Sequence, residues 1–90
     1  MRSDDDFLKD ALFNDQDFFD YVHEFGLQDT LDDISELRRT VADQLEADRD
    51  YGVWSADNPQ WRKSATALVI RAKSRIRVIN DALQRGEEDK

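Results

Sequence analysis

The side chains able to do chemistry in this chain are mostly carboxylates: Asp and Glu number 21 against 13 Lys and Arg. Hydrolysis by paired acids, or binding of a divalent cation, is the chemistry that carboxylates support. The spacing favours neither. Asp4-Asp5-Asp6 and Asp32-Asp33 are runs without the Asp-x-Asp-x-Asp-Gly loop and distant Glu of an EF-hand. His23 is the single histidine and there is no cysteine. A thiolate nucleophile, a disulfide or a Cys/His metal set is therefore excluded, and His23 reads as a helix-surface or partly buried residue. No Gly-rich phosphate loop, Gly-x-Ser-x-Gly elbow or dinucleotide fingerprint occurs. The sequence predicts a protein that is not an enzyme and needs no cofactor or metal.

The second candidate chemistry is recognition. All five Phe residues lie between positions 7 and 25, interleaved with Asp4, Asp5, Asp6, Asp10, Asp15, Asp17, Asp20 and Glu24. Aromatic anchors with surrounding carboxylates suit docking onto a basic, apolar groove, the rings supplying affinity and the acids rate and orientation. The candidate partner-binding residues are Phe7, Phe13, Phe18, Phe19 and Tyr21, with Trp54 in a later connection. The competing reading folds the same aromatics back as a cap over the rest of the core.

Charge is unevenly placed. Residues 1–57 carry 17 acids and 5 bases, a net −12; residues 58–85 carry 7 bases and 1 acid, a net +6; residues 86–90 carry 3 acids and 1 base, a net −2, which together give the formal −8. This division predicts internal attraction between an acidic half and a basic helix, or a bipolar surface that steers a partner. The bases Arg62, Lys63, Arg71, Lys73, Arg75, Arg77 and Arg85 could meet phosphates, but the overall charge and the lack of helix-turn-helix spacing argue against direct nucleic-acid binding. The converse, an acidic surface imitating a phosphate backbone and blocking a nucleic-acid-binding protein, is an alternative.

Positioning these residues requires few, long elements, since 90 residues contain 3 Gly and 1 Pro. Asn58-Pro59 reads as an N-cap with Pro at the first helical position, and Arg85-Gly86 as a C-terminal cation and stop. Between them Trp61, Ala65, Leu68, Val69, Ala72, Ile76, Ile79 and Leu83 share one face. The helix over 58–85 would have about 28 residues and run roughly 42 Å. Upstream, Thr30 with Asp33 resembles a capping box, and Leu31, Ile34, Leu37, Val41 and Leu45 repeat at helical spacing until Asp50–Gly52. A short connection through Val53–Asp57 then predicts an antiparallel hairpin with a seam like that of a coiled coil.

The fold class expected is therefore all-α: a hairpin of about 30–51 and 58–85, with one or two short helices near 4–13 and 15–25 packed on it. Residues 1–90 form one domain, with an acidic aromatic segment at 1–28, the hairpin at 29–86 and a disordered tail at 87–90. Ala67, Ile70, Ser74 and Val78 form a second, outward line on the last helix. Either the N-terminal helices cover it or a second copy does, which makes Ile70 and Val78 candidates for self-association into a dimer. No run approaches the ~20 apolar residues of a membrane span and residues 1–6 lack signal-peptide order, so the expected location is cytoplasmic, without a membrane partner.

The pattern Trp61-Arg62-Lys63, Ala65, Leu68, Ile76, Ile79-Asn80 and Leu83, in a compact, acidic, Cys-free chain, resembles that of small helical accessory proteins encoded by bacteriophages. The resemblance covers about residues 30–85. It implies binding and modulation of a host or viral protein, with inhibition of a host factor as one form of it, and carries over no functional residue. The expectation is a non-enzymatic interaction module; the alternatives are the nucleic-acid mimic and a structural homo-oligomer.

Overall fold

A computed structural model describes residues 4–86, with side chains from residue 6 onward. The expected tail at 87–90, the first three residues and the carboxylates of Asp4 and Asp5 lie outside this description. Four helices follow one another: α1 (Asp4–Phe13), α2 (Asp15–Phe25), α3 (Leu27–Tyr51) and α4 (Gln60–Gln84). There is no strand among the described residues. The long helices α3 and α4 pack as an antiparallel hairpin, α1 pairs with α2, and this short pair lies against α4 and α3.

Local chemistry sets the boundaries. Asn14 breaks α1 from α2 with an extended backbone, and its Oδ1 accepts the Asp17 N–H at 3.1 Å, satisfying one of the donors a helix start leaves open. Gly26 turns α2 into α3 at φ 87°, a value that favours glycine. Helix α3 therefore begins at Leu27, three residues before the expected capping box. Thr30 is not a cap: it is fully buried within the helix and its hydroxyl donates to the Gly26 carbonyl at 2.6 Å. One left-handed glycine suffices for the corner, so helix resumes at once. At the far end the expected signals hold to within a residue or two. Asn58 Oδ1 accepts the Gln60 N–H at 3.1 Å, and Gly86, at φ 73°, donates to the Leu83 carbonyl at 3.0 Å.

The hairpin seam follows the predicted stripes. Ile34, Val41 and Asp48 on α3, and Ala65, Ala72 and Ile79 on α4, are buried at steps of seven, the repeat that keeps two helices in register. The two alanines let the axes approach closely. Leu8, Ala11 and Leu12 of α1 and Phe18 and Tyr21 of α2 join Ile34, Ala72 and Ile79 in one core. Burying a large side chain of this kind contributes roughly 1.5–3 kcal/mol. The result is a slab of 48 × 30 × 16 Å. No described helix is long and apolar enough to cross a membrane.

Candidate functional site

The N-terminal aromatics divide between core and surface according to helical phase. Phe18, Tyr21, Val22 and Phe25 stand at i, i+3, i+4 and i+7, the spacing of one helical face, and that face turns inward. Phe18 is 4 % exposed and Tyr21 3 %. The expectation that these two serve as exposed anchors is corrected: they hold the molecule together. Phe7 is half-buried beside them, its ring centroid 5.0 Å from Tyr21, and Tyr21 lies 4.6 Å from Phe25. The Tyr21 hydroxyl donates to Asp33 Oδ2 at 2.7 Å, tying α2 to α3.

Phe13 and Phe19 point the other way and are 49 % and 63 % exposed. Asp15 and His23, four residues to either side of Phe19 on α2, are exposed too, as are Asp20 and Glu24 further round the helix. Two arginines of α4 approach this corner from below. Arg75 lies 4.5 Å from the Phe18 ring centroid and pairs with Asp15 at 2.8 Å; its Nε is buried with no hydrogen-bond partner. Arg71 stands 6.0 Å from the Phe13 centroid. Cations over aromatic faces are attracted by the ring quadrupole, on the order of 0.5–2 kcal/mol. The α1–α2 corner is thereby fixed, with its two outer rings left in solvent.

Trp54 stacks on Trp61 at 5.5 Å and 17° in the turn between the long helices. Half-buried there, it serves the hairpin first. The residue that organises this turn is Asp48, which the sequence reading passed over. It is 1 % exposed. One carboxylate oxygen accepts the Trp54 and Ser55 N–H groups at 3.0 and 2.8 Å; the other accepts Arg62 Nε and Nη2 at 3.2 and 3.0 Å. Gly52, at φ 64°, closes the last turn of α3 by donating to the Asp48 carbonyl. The carboxyl is held below its ordinary 3.8, chiefly by the Ser55 backbone N–H, with help from the Ser55 hydroxyl, Arg62 and the Trp54 N–H; burial opposes this. The available signal was position: Asp48 falls seven residues after Val41, on the apolar stripe, where a charge requires partners.

Ile70 and Val78, the expected self-association residues, are 61 % and 50 % exposed on α4. The N-terminal helices leave this line uncovered. An open groove of about 580 Å³ lies between the short pair and α3, lined by Leu8, Tyr21, Phe25, Asp33, Leu37 and Val41 among others. Among the described residues no three His, Cys, Asp or Glu side chains converge as a metal site. The arrangement offers two exposed rings at the α1–α2 corner and an exposed apolar line among bases on α4, with Arg71 meeting Phe13 between them. No family model, curated protein or solved structure matches this chain.

Proposed function

We propose that the chain is a non-enzymatic protein-binding module that modulates a partner by occupying its surface, docking through Phe13 and Phe19 at the α1–α2 corner. The observation that carries this reading is that these two rings stay exposed while their neighbours Leu12 and Phe18 are buried. Large apolar side chains in water are poor choices for a chain that has a core to put them in, and aromatics dominate the energetics of interfaces. The exposed acids of α2, Asp15, Asp20 and Glu24, favour a partner surface that joins an apolar patch to a basic one.

The test is a comparison of wild-type chain with Phe13→Ser/Phe19→Ser in affinity capture from its native host. Capture of a specific protein is expected from wild type and at least tenfold less from the double variant, with helicity and unfolding midpoint unchanged. Equal capture by both would refute the reading.

A further inference from the structure

The outer side of α4 carries an apolar line set in positive charge that the described residues neutralise only in part. At about 100° per residue, Ala67, Ile70, Ser74 and Val78 fall within an arc of roughly 80° turned away from α3. Arg71, Lys73 and Arg77 flank that arc, and Lys63 stands within it one turn before Ala67; all four are exposed. Arg62 and Arg75 pair with Asp48 and Asp15 of other elements. Lys63, Lys73 and Arg77 make no ion pair with any described residue, and Arg71 meets the Phe13 ring. The internal charge complementarity suggested by the division of the sequence is thus only partly used, and a basic stripe remains on a protein of net charge −8.

Two copies could pair this stripe with itself, Ser74 on the axis and Ile70 against Val78. That pairing would also set Arg71, Lys73 and Arg77 against the same bases of the second copy, and facing like charges oppose it. The complementary surface is on α2. Phe19 is 63 % exposed, and Asp20 and Glu24, exposed further round the outer face of the same helix, make no ion pair with any described residue. Within one chain the same chemistry already joins these helices, where Arg75 lies over Phe18 and on Asp15.

From this complementarity we propose that the α4 stripe of one copy receives the Phe19 face of α2 from a second copy, an inference that rests on reading that face as a docking surface. The two surfaces differ, so the contact is heterologous and each added copy presents a fresh surface of both kinds. One aromatic and two aliphatic side chains at its centre make it a weak contact, with a charged rim that salt screens.

Sedimentation velocity over a rising concentration series tests this. Wild type is expected to exceed twice the 10.5 kDa monomer mass without a plateau at dimer, less so as salt rises. Phe19→Ser and Ile70→Asp, each with an unchanged unfolding midpoint, are each expected to stay monomeric. Mixed in equal amounts they retain one intact pair of faces and form a one-to-one dimer. A wild-type monomer at every concentration overturns the proposal. So does a mixture that stays monomeric, or a dimer that survives Phe19→Ser and is lost in Ile70→Asp, which would mark self-pairing of α4. Partner capture by Phe13→Ser/Phe19→Ser is read separately, so failure of self-association and failure of the docking reading are told apart.

Discussion

Arg62 reaches back across the hairpin turn to Asp48, setting Nη2 3.0 Å from a carboxylate oxygen that is itself shut away from solvent. Asp48 thus satisfies a side chain of α4 and two backbone donors of the turn at once. A buried charge with several partners is hard to remove singly, because each partner is left unpaired. Asp48→Ala should therefore lower the unfolding midpoint most, Asp48→Asn less, and Arg62→Ala least, since the half-exposed Arg62 can return to water. Equal midpoints for the three would contradict a clasp at this position.

The same carboxyl fixes the sign of a pH effect. Its folded value is below 3.8, so the fold favours the charged form. The contribution is fully present above 3.8 and is lost as pH falls below it, through the folded value. In urea titrations, the gap in midpoint between wild type and Asp48→Asn should be constant from neutral pH down to about 4 and shrink below that. A gap that widens on acidification would refute the assignment.

Adjacent phenylalanines should behave oppositely. Phe18→Ala opens the core and should cost about 3–5 kcal/mol, whereas Phe19→Ser should change stability by less than about 1 kcal/mol. Tyr21→Phe, which removes the bond to Asp33, should cost about 1 kcal/mol. Chemical denaturation measures all three.

Gly52 sits at φ 64°, and a Cβ there would meet nothing within 4 Å. The penalty for Gly52→Ala is then conformational alone, about 1–2 kcal/mol, or a fall in Tm of roughly 4–8 °C per kcal/mol in a domain of this size. Gly52→Asn should recover part of it, since Asn tolerates the left-handed region.

The hairpin was legible because its stripes are long and periodic: Leu31 to Leu45 and Trp61 to Leu83 each leave one arrangement that buries them. The breaks at Asn14, Gly52 and Gly86 were legible from residue type. The burial of Asp48 was signalled by its place on the stripe, but its partners were not, since Trp54, Ser55 and Arg62 converge on it only once the turn has formed. The split between Phe18 and Phe19 lay in the phase of α2, visible as Phe18, Tyr21, Val22 and Phe25 on one face and Phe19 off it. The bare α4 line followed from where α1 and α2 settle, which no local pattern fixes.

The central claim, docking through the α1–α2 corner, is tested most directly by hydrogen exchange on the chain with its captured partner bound. Added protection is predicted over residues 13–24, fading along the hairpin towards Trp54. Unchanged exchange at the corner, with protection confined to the Trp54 turn or the groove beside Leu37, would contradict it.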